Sequence, residues 1–168
     1  ENIAEGTIEY RSGTIINSGY TGYSYYGIGI KNIGSGTINM TGGIISNKEN
    51  NNGYPYTYGI SNEGEGIVNI TGGSIQQESG GSYIASCRTV YNKETGIVNI
   101  NNKDGSLNGS LYNYKSGVIN IEEGTITATK YIAIENYANG EINIKNGNIV
   151  CSASEYDTIT NGGAGTIN

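Results

Sequence analysis

The chain has 168 residues, of which 35% are hydrophobic, with 28 glycines, 15 tyrosines and no histidine, phenylalanine or tryptophan. Its formal net charge of −6 disfavours nucleic acid as a partner, because an acidic surface repels a phosphate backbone. No segment approaches the roughly 18 consecutive apolar residues that a membrane-spanning helix needs, so no membrane insertion is predicted. Glycine is frequent but does not recur at every third position, which excludes a collagen triple helix.

One pattern recurs along the whole chain: an asparagine, three residues, a glycine, any residue, Ile or Val, Asn, and Ile or Met, followed by a second glycine. The first glycine of each copy marks the register, and the intervals between these glycines are 30, 30, 30, 21, 23 and 25 residues. A constant part with a variable remainder predicts one structural unit stacked about six times. We therefore predict that residues 1–168 form a single solenoid segment. The register glycines are Gly6, Gly36, Gly66, Gly96, Gly117, Gly140 and Gly165.

The first strand of each unit begins at the register glycine, where apolar residues alternate with asparagine. Ile38 and Met40 therefore share one face, and Asn39 points the other way. A second glycine follows and predicts a corner with positive φ, at Gly13, Gly43, Gly73, Gly105, Gly124 and Gly147. A second strand then points one aliphatic residue inward, at Ile15, Ile45, Ile75, Leu107, Ile126 and Ile149. After a variable loop a third strand does the same, at Ile30, Ile60, Val90, Leu111, Ile134 and Ile159.

Three strands per coil, each pairing with its counterpart in the next coil, predict an all-β protein with the fold of a right-handed parallel β-helix, or β-solenoid. The general handedness of parallel crossovers favours the right-handed form. Neither end carries a recognisable polar cap, so the segment is predicted to be uncapped at both ends. Two explanations stay open: the chain is cut from a longer solenoid, or other copies occupy the ends and stack head to tail into a filament.

An asparagine stands four residues before every register glycine. Asparagine tolerates left-handed backbone and bonds its own local backbone, and stacked identical asparagines also bond to each other, as in cross-β ladders. We interpret the row as an inward structural ladder at the corner between the third strand and the next first strand. A row of ligand contacts is the alternative. The residues are Asn2, Asn32, Asn62, Asn92, Asn113, Asn136 and Asn161.

A second asparagine row is predicted on the outward side of the first strands, where it is expected to stabilise the sheet face. It comprises Asn39, Asn69, Asn99, Asn120, Asn143 and Asn168.

The candidate contact surface lies in the loops between the second and third strands, over residues 18–26, 47–58 and 78–86. These loops are rich in Tyr, Asn, Ser and Gly, and stacking of the coils would bring them side by side. Tyrosine supplies rigid contact area in antibody paratopes, so a glycan- or protein-binding surface is the functional interpretation. The alternative is that the rings cover strand ends or pack between neighbouring loops. The candidate residues are Tyr20, Tyr23, Tyr25, Tyr26, Tyr54, Tyr56, Tyr58 and Tyr83.

No catalytic residue and no cofactor is predicted. Asp104 and Asp157 fall two coils apart, and strand alternation would point Glu122 and Glu123 in opposite directions. No pair of carboxylates therefore has the convergent spacing that a glycosidase needs.

No metal site is predicted either, because the chain contains no histidine and its two cysteines fall in different coils. Cys87 and Cys151 are three stacking steps apart, which at ~4.8 Å per step exceeds the reach of a disulfide. Glu63, Glu65 and Glu94 are expected to form a loose, solvated acidic edge.

The elements GTINMTGG (36–43) and GIVNITGG (66–73), with third strands such as YGISN (58–62), resemble repeats in the extracellular β-helical regions of bacterial and archaeal surface or adhesin-like proteins. The resemblance covers essentially the whole chain. It implies secretion and a location at the cell surface, and it supplies no active-site residues.

Three functions follow as expectations. The leading one is a non-enzymatic extracellular structural or adhesive protein, a subunit or segment of a surface fibre that stacks on itself or on neighbouring repeats. The second is an adhesin stalk that binds a glycan or a surface protein through the tyrosine-rich loops. The third and weakest is a polysaccharide-degrading enzyme, since enzymes of that class also use this fold.

Overall fold

The computed structural model describes residues 1–18, 26–49, 56–79 and 87–168. Over these ranges the chain forms strands and no helix. The strands are β1 (Thr7–Tyr10), β2 (Thr14–Ser18), β3 (Tyr26–Asn32), β4 (Thr37–Glu49), β5 (Tyr56–Asn62), β6 (Ile67–Ser79), β7 (Cys87–Asn92), β8 (Ile97–Asn108), β9 (Ser110–Asn113), β10 (Val118–Ala128), β11 (Ile134–Asn136), β12 (Glu141–Ile144), β13 (Asn148–Cys151), β14 (Ile159–Asn161) and β15 (Thr166–Ile167).

The strands form two parallel sheets, and each strand pairs with its counterpart in the next coil. The nine-stranded sheet has the order β1-β4-β6-β8-β10-β12-β15, with β2 paired to β4 and β13 paired to β10. The six-stranded sheet has the order β14-β11-β9-β7-β5-β3 and contains the third strand of each coil. Parallel strands stacked in register in this way make a parallel β-helix, as the sequence predicted.

The core consists of aliphatic rows that run along the stacking axis. Ile38 pairs in register with Val68, and Ile60 pairs with Val90 in the other sheet. These side chains are fully buried, and each contributes about 1.5–3 kcal/mol on burial. The predicted inward positions of all three strands are confirmed. The largest fully buried side chains are those of Ile38, Met40, Ile45, Ile60, Ile70, Ile75, Ile100, Leu107, Leu111, Ile119, Ile121 and Ile126.

In the middle coils the first and second strand segments form one long strand that bends at the second glycine. Strand β4 continues through Gly43, where φ is 83°, and its register with β6 shifts around that bend. One left-handed residue turns the chain while the ladder resumes beyond it. The separate segments predicted from the sequence are therefore joined in β4, β6, β8 and β10, and remain separate as β1 and β2 and as β12 and β13.

The positive φ predicted for the corner glycines is confirmed at four of them, Gly13, Gly43, Gly73 and Gly124. It is wrong at Gly105 and at Gly147, neither of which adopts a left-handed conformation. In the coil that contains Gly105, more residues separate Ile100, the last inward residue of the first strand segment, from Leu107, the inward residue of the second. The chain therefore bends over several residues and not at one glycine. The left-handed glycine of that coil is instead Gly109, with φ 139°, in the tight connection between β8 and β9.

The register glycines are required for space and not for a special φ. A Cβ built on Gly66 would overlap the Asn32 side-chain amide and the carbonyl of Gly36. The same overlap with an asparagine amide recurs at Gly96, Gly117 and Gly140. The glycine therefore leaves room for the asparagine that lies over it.

The inward asparagines form a continuous ladder of hydrogen bonds. The Asn32 Nδ2 donates to the Gly36 carbonyl at 2.9 Å and to the Asn62 Oδ1 at 3.0 Å. The same pair of bonds repeats at Asn62, Asn92, Asn113 and Asn136, with the bond between asparagines at 3.0 Å each time. Because a carbonyl only accepts, the bond to the register glycine also sets which way each amide faces.

The ladder members are fully buried from Asn32 to Asn136. At the first coil Asn2 donates to the Gly6 carbonyl, but within the described residues no donor reaches the Asn32 Oδ1. The ladder of side-chain bonds therefore begins at Asn32.

The outward asparagines form a second ladder with the opposite direction. Here Asn69 donates back to Asn39 at 2.9 Å and Asn99 donates back to Asn69 at 2.9 Å. The pattern continues through Asn120, Asn143 and Asn168. These amides are half-buried or exposed, so water competes for them.

The two cysteines belong to different sheets. Cys87 begins β7, and Cys151 ends β13. Cys151 is a free thiol, as the sequence predicted, and its Sγ donates to the Tyr131 carbonyl at 3.1 Å.

Replacing one inner asparagine is expected to cost far more than replacing an outer one of the same coil. Asn62→Ala leaves the buried Asn92 Oδ1 without its donor and removes one of the two hydrogen bonds to the Gly66 carbonyl, so we expect a loss of about 2–3 kcal/mol in the free energy of unfolding. Asn69→Ala, where water replaces the lost bonds, should cost less than about 1 kcal/mol. Urea unfolding followed by circular dichroism measures both, and equal costs would contradict a stabilising role specific to the inner ladder.

Candidate functional site

Most of the tyrosines predicted to form a contact surface lie outside the described residues. These are Tyr20, Tyr23, Tyr25, Tyr54 and Tyr83. The other three were predicted from the sequence to lie in loops, and this prediction is wrong. Tyr26 begins β3, and Tyr56 and Tyr58 belong to β5, because backbone pairing between β3 and β5 extends to the Tyr26–Tyr56 pair.

The outward face of the six-stranded sheet carries a different set of aromatic residues. The residue before each inner asparagine faces outward, and this position holds Lys31, Ser61, Tyr91, Tyr112, Glu135 and Thr160 in register. The residue after each inner asparagine forms a neighbouring row that includes Glu63, Lys93, Tyr114 and Tyr137. Tyrosines of both rows therefore lie on adjacent coils.

Five tyrosine rings form a contiguous cluster on this face, which we call the tyrosine face: Tyr58, Tyr91, Tyr112, Tyr114 and Tyr137. Ring centroids are 4.7 Å apart for Tyr58 and Tyr91 and 5.6 Å apart for Tyr91 and Tyr112. Tyr114 stacks on Tyr137 at 5.5 Å. Offset and tilted aromatic pairs at such distances each contribute about 0.5–1.5 kcal/mol beyond burial.

A buried arginine anchors one side of the tyrosine face. The Arg88 guanidinium lies 5.0 Å from the Tyr112 ring centroid and 4.6 Å from that of Tyr131. Its Nη2 also donates to the Glu135 carboxylate at 3.2 Å, two strands further along the stack. The arginine, which is 5% exposed, therefore holds Tyr112 in place from beneath the surface.

A short charged row borders the other side. The Glu63 carboxylate lies 3.4 Å from Lys31 Nζ and 3.6 Å from Lys93 Nζ, and Glu94 pairs with Lys115 at 2.8 Å. The acidic edge expected from the sequence is therefore neutralised by lysines at two of its three residues. Glu65 is exposed.

A groove of about 480 Å³ lies between the charged row and the tyrosines. Strands β3, β5, β7 and β9 position its walls, since equivalent outward residues of successive coils align. Ser61, between Lys31 and Tyr91 in register, is fully buried. The lining residues are Ile28, Lys31, Tyr56, Tyr58, Glu63, Tyr91, Lys93 and Tyr112.

Burial raises the pKa of the Tyr91 hydroxyl well above its usual range, and the neighbouring Tyr112, Tyr114, Glu63 and Glu94 raise it further. Burial also raises the pKa of Tyr112, where Glu135 adds to the increase and Arg88 opposes it. Both hydroxyls therefore stay protonated well beyond the pH at which an exposed tyrosine ionises.

The acidic residues considered for catalysis are dispersed. Asp104 and Asp157 are exposed, and Glu122 pairs with Lys145 at 2.9 Å, a hydrogen bond that raises the pKa of Lys145. Glu123 lines a second, polar groove with Lys103. In the described ranges, no three His, Cys, Asp or Glu side chains come together in a way that could hold a metal ion. The same ranges contain no helix with the length and apolarity to cross a membrane.

Sequence reasoning included Tyr58 but missed the other four residues of the tyrosine face and Arg88. The signal was present in the asparagine register, because Tyr91 and Tyr112 directly precede an inner asparagine and Tyr114 and Tyr137 directly follow one. Arg88 could not be placed in this way, since an extra residue in β7 shifts its register relative to β9.

No protein-family model matches the chain, and comparisons with curated proteins and with solved structures find no significant similarity. The likeness of its repeats to those of surface proteins therefore stays a prediction.

The raised pKa values predict a late phase in the alkaline titration. Unfolded tyrosine ionises near pH ~10, so above that pH the unfolded chain binds fewer protons than the folded chain, and stability falls as the pH rises. The double variant Tyr91→Phe/Tyr112→Phe should lose the late tyrosinate absorbance and show a weaker alkaline decline in its urea midpoint. If the titrations of the two proteins coincide once scaled by tyrosine number, the two hydroxyls are not protected.

Proposed function

We propose that this chain is a non-enzymatic extracellular structural and adhesive segment, part of a surface fibre whose coils stack on coils. The observation that carries the proposal is the repetition of the same side chain at the same register position along the stack. Both asparagine ladders and the aliphatic rows propagate along one axis. In such a scaffold each coil fixes the register of the next, and a further coil of the same pattern can stack on the last one.

Self-association by stacking is the mode that this geometry favours. Each coil presents backbone donors and acceptors, an asparagine amide and aliphatic side chains to its neighbour. The neighbouring coil presents the same groups to it. The contact is heterologous, because the two faces of a coil differ, and repeated heterologous contacts generate open filaments. The segment would stack in this way on neighbouring repeats or on further copies of the chain.

The adhesive part of the proposal rests on the tyrosine face. Aromatic rings that are half-buried and held by neighbours supply contact area with little conformational entropy left to lose. A glycan or a surface protein is the partner class we propose. The tyrosine-rich loops 19–25, 50–55 and 80–86 lie outside the described residues, and the groove beside Tyr56 and Tyr58 borders the strands that lead into them.

A polysaccharide-degrading enzyme is the weaker alternative. Hydrolysis would need two carboxylates flanking one bond, whereas Glu122 is paired with Lys145 and Asp104 and Asp157 lie on different parts of the chain. No specific contact favours this function.

Negative-stain electron microscopy at rising protein concentration tests the stacking. We expect uniform fibres with an axial repeat near ~29 Å, six times the strand spacing. The variant Glu9→Pro should prevent them: Thr37 donates to Gly6, so the alternation of a parallel ladder points the Glu9 amide away from β4. Proline there removes a donor from the edge of β1 and leaves its pairing with β4 intact.

Glu9→Ala is the matched control, because it removes the same carboxylate and keeps the amide. Fibres from the wild type and from Glu9→Ala, but not from Glu9→Pro, would support end-to-end stacking through strand edges. Particles that stay monomeric at every concentration, with an intact strand signal in circular dichroism, would contradict it.

A further inference from the structure

We propose that the groove between the charged row of Lys31, Glu63 and Lys93 and the tyrosine face is a binding site for a neutral glycan chain that lies along the stacking axis. The inference rests on the adhesive part of the proposed function and identifies its ligand class and its site. It places the site on the strands of the six-stranded sheet and not in the tyrosine-rich loops.

One wall of the groove is aromatic. Tyr58, Tyr91 and Tyr112 come from three successive strands, β5, β7 and β9, and their rings are 4.7 and 5.6 Å apart. Their order along the stack makes a strip of ring surface parallel to the axis. Because the rings pack on one another, the strip presents ring edges to the groove. Such apolar edges contact the C–H groups of a pyranose, and the phenol hydroxyls bond its hydroxyl groups.

The opposite wall is polar and also follows the axis. Lys31, Glu63 and Lys93 come from three successive coils, with the carboxylate between the two ammonium groups. The Glu63 Oε1 also accepts a hydrogen bond from the Ser61 hydroxyl at 3.1 Å, which holds the carboxylate in place. The wall thus presents alternating donors and acceptors, the pattern that the vicinal hydroxyls of a sugar satisfy.

The groove is built before any ligand arrives. Tyr112 is held by the buried Arg88 guanidinium, and Tyr91 stacks on Tyr112 at an interplanar angle of 19°. Its volume of about 480 Å³ falls in the range of ordinary ligand sites, roughly 300–1,000 Å³. Walls that do not need to reorganise reduce the entropic cost of binding.

The ligand class follows from three features taken together. An aromatic wall facing a polar wall suits a molecule with one apolar face and one hydroxyl-bearing edge, as a pyranose has. The coils repeat every ~4.8 Å, a step comparable with one sugar unit of an extended glycan, so successive units meet successive coils. The net charge of −6, and the pairing of both lysines with Glu63, disfavour a polyanionic glycan.

Isothermal titration calorimetry with cellohexaose, mannohexaose, laminarihexaose and chitohexaose tests the site, with hexagalacturonate as the acidic comparison. We expect at least one neutral oligosaccharide to bind saturably. Tyr91→Leu, which keeps an apolar side chain but removes the ring, should weaken that binding about tenfold. Glu63→Gln should weaken it too, because it releases both lysines from their shared partner.

Tyr156→Leu is the matched control: Tyr156 lies outside the tyrosine face, does not line the groove and is 42% exposed. Its affinity should equal that of the wild type, and circular dichroism should show all three variants folded. The site is refuted if none of the neutral oligosaccharides binds, if binding survives Tyr91→Leu and Glu63→Gln unchanged, or if only hexagalacturonate binds. Those results leave end-to-end stacking untouched, since fibre formation is scored separately by microscopy.

Discussion

The structure depends on one repeated interaction, the hydrogen bonds of the inner asparagine ladder. At each corner between a third strand and the next first strand, the carbonyl of the register glycine accepts two hydrogen bonds. One comes from a backbone N–H of the next coil, and the other comes from the amide of the asparagine four residues earlier. A buried hydrogen bond of this kind contributes about 0.5–1.5 kcal/mol, and the ladder repeats it from coil to coil. The second hydrogen of the same amide bonds the next asparagine, so that each corner is tied to the one above it. The glycine is obligatory because any Cβ would overlap the asparagine amide of the preceding coil.

The ladder has a consequence for the outer surface. A shift of one residue in the pairing of two coils would break the asparagine bonds and also turn the aliphatic row outward. The register is therefore held at the corner, and residues that flank an inner asparagine are aligned from coil to coil. Rings, lysines and carboxylates at those flanking positions then form rows. The tyrosine face and the charged row beside it exist because the corners are locked, although neither takes part in locking them.

The outer asparagine ladder shows how burial changes the value of the same bond. Its spacing and geometry resemble those of the inner ladder, but its amides are accessible to water and point in the opposite direction along the stack. Because the two ladders run in opposite directions along the stack, the dipoles of their amides point in opposite directions. The inner row therefore contributes stability and register, and the outer row contributes a regular polar surface.

Rows with a strict period were predictable from the sequence, and features that depend on irregular residues were not. The aliphatic rows and the asparagine row could be identified because the same residue type recurs at a constant offset from the register glycine. The left-handed glycine was misplaced at Gly105 because that coil contains additional residues between its inward positions, and a constant offset no longer identifies the bend.

The candidate site illustrates the same limit. The position before the inner asparagine is Lys31, Ser61, Tyr91, Tyr112, Glu135 and Thr160 in successive coils, so tyrosine recurs there in only two coils. The groove is formed only when the coils stack, so that the row of Lys31, Glu63 and Lys93 lies opposite the tyrosines. Arg88 bonds Glu135, which lies two strands further along the stack. It stands where β7 has an extra residue relative to β9, and the spacing of the repeats does not indicate that shift.

Hydrogen exchange of the asparagine side-chain amides, measured by NMR, tests the central role of the inner ladder most directly. If the ladder holds the corners, the Nδ2 hydrogens of Asn62, Asn92 and Asn113 should exchange as slowly as the backbone amides of the core strands, while those of Asn69 and Asn99 exchange much faster. Exchange of the inner and outer amides at the same rate would show that the corners open independently of the core, and would contradict the dependence of the coil register on this ladder.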